Sequence, residues 1–263
     1  MTGDQDLLGS WGWLYCVALF ACILLMHDLG RTLGARRRAM DLEGSRLGLG
    51  PVESATFGLL GLLIAFTFSG AAARFDARRH LVTEEANLIG TAWLRVDLLP
   101  ESQQAAIRDR FRDYLDARLA IYDRLPDLEA SRAALERSKM LQEAIWSESV
   151  AATRVGGASV GSNLLLSGLN SMIDITTTRT MATRIHPPGI VYGLLFAAAM
   201  LAGLLAGYNS AGGTTRAWLH ALGLASIVSI ALYAIIDLEH PRYGMVRVDS
   251  VDEVLRELRR SMD

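Results

Sequence analysis

Cysteine is nearly absent from this chain: Cys16 and Cys22 stand six residues apart inside one apolar run. On a helix that spacing puts them on different faces, which fits neither a disulfide framework nor a chelating pair. The five histidines, His27, His80, His186, His220 and His240, are scattered with no pair at metal-ligand spacing, so no hydrolytic zinc site is expected. An excess of one charge is lacking too. Lys and Arg total 26 against 28 Asp and Glu, which leaves a net charge of -2 and no field to attract a nucleic acid. There is no G-x-G-x-x-G, P-loop or G-x-S-x-G. Glu84 and Glu85 lie in a charged helical pattern and read as a solvated or salt-bridged pair rather than an acid–base couple. These absences argue against an enzyme and imply no cofactor and no metal. Strand-like alternation and internal repeats are missing as well.

What is present is apolar sequence in blocks. About half the residues (51%) are hydrophobic, and the blocks are long enough for an integral membrane protein. The candidate spans are Trp11 to Met26, Phe57 to Ala73, Gly189 to Tyr208 and Ala217 to Ile236, the first short of the ~20 residues that cross a bilayer. Asp4 and Asp6 stand where a secretory signal would have basic residues, and no small-residue cleavage site follows Met26, so the first span reads as an anchor. The expected fold is an all-α membrane protein. Four transmembrane helices carry a long helical extramembrane segment between the second and the third. By position these are 1–73 (two spans with a basic loop), 74–187 (the helical segment), 188–240 (a transmembrane hairpin) and 241–263 (an amphipathic tail).

The second span passes into charged sequence without a proline. No charge occurs from Phe57 to Ala73, and a charge at a helix centre costs roughly 3 kcal/mol, so the span ends near Arg74. One helix then continues to about Leu99, where Pro100 follows. A second helix starts at Glu101 and Ser102, carries Ile107, Phe111, Tyr114, Leu115, Arg118 and Tyr122 at helical spacing, and ends at Pro126. Asp127 is the expected N-cap of a third that stops at Gly156 and Gly157. Ser159 to about Arg184 reads as a fourth, and His186-Pro187-Pro188 breaks the chain. The tail places Val251, Val254, Leu255 and Leu258 on one helical face.

Within the second span Gly58, Leu62, Phe66, Ser69 and Ala73 recur at steps of three and four. Two explanations stand. Gly58, Gly61, Ala65 and Ser69 are small enough to let helices approach closely. Alternatively, symmetry-related copies of Leu62 and Phe66 form apolar rings that gate ions by wetting and dewetting. Among the charged positions, Arg74, Asp76, Arg78, Glu85, Asp237 and Arg242 are expected to serve as structural or interface charges, with Asp237 and Arg242 stapling the end of the last span.

Two stretches carry a family resemblance. GLLIAFTFSGAAARFDARRHL resembles the second-helix region of bestrophins, where an apolar run with a pore-lining Phe leads into an Arg-aromatic-x-x-Arg sequence, here Phe66, Arg74, Phe75 and Arg78. IDLEHPRYGMVRVDSVDEVLREL is similar to the bestrophin segment in which an acidic residue and a Pro-aromatic-Gly turn close the last span. The likeness is to the bacterial bestrophin-like family and covers the chain from about Gly30 onward. Two features depart from it. The N-terminal signature is reduced to Gly9-Ser10-Trp11, and no acidic run follows Pro241, so calcium gating is not implied. The resemblance implies a homopentameric channel in the bacterial inner membrane with cytosolic termini and Gly58, Leu62 and Phe66 lining the neck. Its partners would be the lipid bilayer and small inorganic ions, chloride foremost.

Charge bias alone leaves orientation open. Arg31, Arg36, Arg37, Arg38 and Arg46 favour placing the first loop in the cytoplasm, whereas Arg74, Arg78, Arg79, Arg179, Arg184, Arg242 and Arg247 share the other side. Hence a rival reading, a membrane receptor or scaffold whose helical segment is a periplasmic ligand-binding bundle.

Overall fold

A computed structural model of the chain describes residues 11–40, 50–123, 127–156, 159–211, 217–241, 245–246 and 249–263, and all regular structure among them is helical. In chain order the helices are α1 (Gly12–Met40), α2 (Gly50–Leu94), α3 (Glu101–Asp123), α4 (Leu128–Gly156), α5 (Val160–Ala182), α6 (Gly189–Ser210), α7 (Ala217–Glu239) and α8 (Asp249–Arg260), with a 3-10 turn at Arg95–Leu98 after α2. Among the described residues four segments are long and apolar enough to cross a membrane: Gly12–Met40, Gly50–Leu98, Gly189–Ser210 and Trp218–Glu239. The first is longer than the apolar run suggests, because the helix continues through Arg36, Arg37 and Arg38 to Met40. α2 is continuous for 45 residues, since no proline or glycine cluster interrupts its backbone ladder after Pro51.

Local signals set the other boundaries. Asp127 caps α4 by accepting from the N–H groups of Glu129 and Ala130 at 3.1 and 3.0 Å. Ser159 caps α5 by accepting from the Ser162 N–H. α7 runs three residues past Ile236 to Glu239, so Asp237 and Glu239 are helical. Pro126, Gly157, Arg242 and the Gly9-Ser10 pair fall outside the described residues.

The chain divides into two compact units. The first comprises residues 1–75 and 186–246. Its core is formed by Cys16, Leu19 and Ile23 of α1, Leu60 of α2, Leu195, Ala199 and Ala202 of α6, and Ala225, Val228, Leu232 and Ile236 of α7. α1 and α6 touch backbone to backbone. A β-carbon at Gly203 would lie 2.9 Å from the Ile23 carbonyl oxygen, and one at Gly30 or Gly207 would overlap the carbonyl groups of Leu204 or His27. Small residues permit such an approach, which membrane helices need because lipid is as apolar as their side chains.

The second unit comprises residues 76–185 and 247–263, thus the far part of α2 with α3, α4, α5 and α8. Ile89, Phe111, Leu115, Ile145, Leu165, Leu169, Met172 and Leu255 are buried in it. Trp93 meets Phe111 edge to face at 6.0 Å, and the Arg108 guanidinium covers the indole at 4.5 Å.

Candidate functional site

The membrane part of α2 has two faces. Leu60, Thr67 and Ala71 are buried, while Phe57, Leu63 and Ile64 pack against the core of the first unit. Gly58, Gly61, Leu62, Ala65, Phe66, Ser69 and Ala73 are exposed, Leu62 by 51% and Phe66 by 69%. A β-carbon at Gly58 or Gly61 would meet nothing within 4 Å. The described residues therefore leave one stripe of the longest helix uncovered, and the stripe holds the apolar and small residues singled out by their spacing. Further along α2 the exposed positions turn polar, with Asp76, His80, Glu84, Asn87 and Thr91.

At the end of this span Arg74 turns back into the first unit. Its Nε donates to Glu239 Oε1 at 2.8 Å and its Nη2 lies 2.6 Å from the same oxygen, on a carboxylate with no exposed side-chain surface. The other oxygen, Oε2, is 3.3 Å from His186 Nδ1, and the His186 ring stacks on His240 at 5.0 Å. Two histidines far apart in sequence thus meet beside one buried glutamate. Asp237 accepts from the N–H groups of Met245 and Val246, each at 2.9 Å, and so holds the turn after α7.

The other singled-out charges lie in the second unit. Asp76 is exposed and 3.7 Å from Arg79 one turn on. Arg78 is buried and donates to the carbonyls of Ala182 and Ile185 at 3.1 and 2.9 Å, satisfying acceptors that the end of α5 leaves open. Glu84 and Glu85 separate, Glu84 to solvent and Glu85 to the interior with no exposed surface.

Glu85 is the centre of a buried quartet. Arg118 Nε donates to its Oε1 at 2.7 Å, with Nη2 equally near but off the hydrogen-bonding line. Arg179 donates to Oε2 and, through Nη2, to Asp252 Oδ1 at 3.3 Å. The Arg179 guanidinium also lies 4.4 Å over the Tyr122 ring. Burial acts against the charge on Arg118, yet Glu85 and the phenols of Tyr122 and Tyr114 outweigh it and hold the guanidinium above its ordinary range. Tyr114 accepts from Gln142 Nε2 at 3.2 Å, and burial pushes its phenol well above the ordinary value. Among the described residues two carboxylates face two guanidiniums, a balance under which buried charges are tolerated.

Further exposed apolar residues, not evident from spacing, lie on α2, the 3-10 turn, α4 and α5. Leu94, Leu98, Val155, Val160 and Leu164 are all exposed. Leu98 lies against Gly161, and Arg95 Nη1 donates to the Leu164 carbonyl at 2.8 Å. Leu94 ends α2, Leu98 ends the 3-10 turn and Val160 begins α5, places where helical spacing gives no periodic signal.

A family model for the Bestrophin-like domain matches residues 18–252, nearly the whole chain. The chain belongs to the Bestrophin-like family. Solved structures agree on the fold. A bacterial bestrophin homologue from Klebsiella pneumoniae is matched with a TM-score of 0.69 at 14% identity, over 94% of this chain and 96% of that one. A tyrosine-to-alanine variant of that homologue gives 0.67 at 15% identity, over 91% and 96%. A tryptophan-to-alanine variant gives 0.70 at 13% identity, over 94% and 96%. No curated protein matches the sequence. This Bestrophin-like chain is accordingly a membrane protein with the bestrophin fold.

Proposed function

We propose that this protein is a homo-oligomeric ion channel of the bestrophin kind, a pentamer in the bacterial inner membrane that passively conducts small ions, chloride foremost. One observation carries the reading. The exposed stripe of Gly58, Leu62, Phe66, Ser69 and Ala73 contains large apolar side chains and small ones on the same face, and none of the described residues of its own chain covers it. Copies arranged around an axis would turn Leu62 and Phe66 into successive apolar rings. Such rings hold no fixed charge and close a pathway by excluding water. The exposed Leu98 and Val160 add apolar surface of the sort a neighbouring chain covers. On this reading residues 74–187 form a cytosolic helical segment, and Arg74, Asp76, Arg78, Glu85 and Asp237 are structural charges around the pathway rather than ligands.

The test is reconstitution. Purified protein in vesicles should pass ions down a gradient, and particles in mild detergent should show rotational symmetry. A monomer at every concentration, or vesicles no leakier than protein-free ones, would overturn the proposal.

One observation favours the rival receptor reading. Arg31 and Arg36 are exposed on the last part of α1, a distribution the positive-inside rule assigns to the cytoplasm. A cysteine placed near Leu128 separates the two: labelling from outside intact cells supports the receptor, and labelling only after lysis supports the channel orientation.

A further inference from the structure

The last helix, α8, is twelve residues long, too short to be stable as an isolated helix in water, so its helical state and its docked state are one event. Three kinds of contact seat it. Leu255 has no exposed surface and Met262, just beyond the helix, only 2%. Leu258 fills the space beside Gly90, where its Cδ1 would be 3.3 Å from an added β-carbon. Along its edge Arg256 Nη2 reaches Asp123 at 2.7 Å and Arg259 Nε reaches Asp116 at 2.8 Å, while Arg112 of α3 donates to the Met262 carbonyl at 2.9 Å. The two aspartates are half exposed, 51% and 55%, so these pairs are open to screening by salt. The third contact differs in kind: Asp252, 3% exposed, enters the interior to meet Arg179.

Most of the buried apolar residues of this unit stand outside α8: Phe111, Leu115, Ile145, Leu165, Leu169 and Ile89 belong to α3, α4, α5 and the far part of α2. Elements with few buried apolar groups and solvated polar contacts form the least stable cooperative units of a fold. Asp252 opposes release, because its departure leaves two guanidiniums sharing the single carboxylate of Glu85.

We propose that α8 is a releasable strap: solvated arginine–aspartate pairs hold it on α3 and Asp252 acts as its buried catch. Raised ionic strength, or neutralisation of Asp252, undocks it while the other helices of the unit stay folded. The strap is defined by its own docking and does not rest on ion conduction.

Hydrogen exchange on the full-length protein in detergent tests this, at about 0.05 M and about 0.5 M sodium chloride, on either side of the ionic strength where the Debye length is ~8 Å. Amides of residues 252–262 should exchange at least ~10-fold faster at the higher salt, and as fast at low salt in Asp252→Asn, with α3 and α4 unchanged. The surface variant Arg256→Gln with Arg259→Gln leaves the interior intact. It should release α8 at low salt and lose the salt response. Exchange of α8 that rises only in step with α3 and α4 would overturn the strap, as would indifference of α8 to salt and to both variants.

Discussion

Gly207 of α6 lies flat against the backbone of α1 at His27, so close that a β-carbon there would overlap the His27 carbonyl. Neither partner can yield, because both contacting groups are helix backbone. Gly207→Ala must push the two helices apart and loosen the contacts of Ile23 and Ala202 on both sides. An overpacking cost of about 1–3 kcal/mol or more is expected, read as a lowered thermal midpoint in detergent. Gly58→Ala is the control, since the added methyl meets nothing among the described residues of its own chain and removes glycine's helix penalty, for a gain of up to about 1 kcal/mol. Equal effects of the two substitutions would contradict this account of the α1–α6 contact.

The buried quartet makes a sharper contrast between neighbours. Glu85→Gln leaves Arg118 and Arg179 in the interior with Asp252 as the one carboxylate against them among the described residues, and breaking a buried pair costs about 3–5 kcal/mol. Glu84→Gln, one residue away and exposed, should stay within about 0.5 kcal/mol. Thermal unfolding of both variants in the same detergent decides whether Glu85 is as deeply committed as its burial indicates.

Much of this architecture is legible in the residues. The uncharged run from Phe57 to Ala73 leads without a break into the charged helix, and Asp127 caps α4 because a short acceptor side chain precedes a helical register. The quartet was half visible. Glu85 shares the register of Val82, Ala86 and Ile89; Arg118 that of Tyr114 and Leu115; Arg179 that of Met172 and Ile175; and Asp252 that of Leu255. A charge at a core-facing position signals a buried partner, and four such signals imply a network. Which charge meets which is set by helix packing across 33 to 94 residues of chain, and no local rule reaches that far. The stacked pair of His186 and His240 was hidden for the same reason.

Tyr114 gives the second unit an alkaline limit. Its phenol is pushed up by burial, so between its ordinary value of roughly 10 and its value in the folded chain only the unfolded chain ionises there. Stability is full below pH ~10 and then falls by about 1.4 kcal/mol per pH unit, since the unfolded state holds one proton fewer. Tyr114→Phe should remove that slope, at the cost of the acceptor that Gln142 uses. The check is the denaturation midpoint between about pH 9 and pH 11 in both proteins. An unchanged slope in the variant would assign the alkaline limit elsewhere.

Phe66 decides the functional proposal. It is 69% exposed within its own chain, so it lies against lipid, against a neighbouring subunit or in a pathway on the symmetry axis. A ring of phenyl groups on the axis is an uncharged barrier that holds the pathway shut by dewetting. Phe66→Ala should then raise ion flux in reconstituted vesicles, Leu62→Ala should do so more weakly, and particle size should not change in either, because a pathway-facing ring contributes little to subunit contact. Packing between subunits gives the opposite pattern. Loss of a buried phenyl costs about 3–5 kcal/mol, enough to dissociate particles at low concentration with no gain in flux. A lipid-facing Phe66 would alter neither quantity. Flux and particle size measured on the same preparation therefore separate the three positions, and only raised flux at unchanged size places Phe66 in the neck.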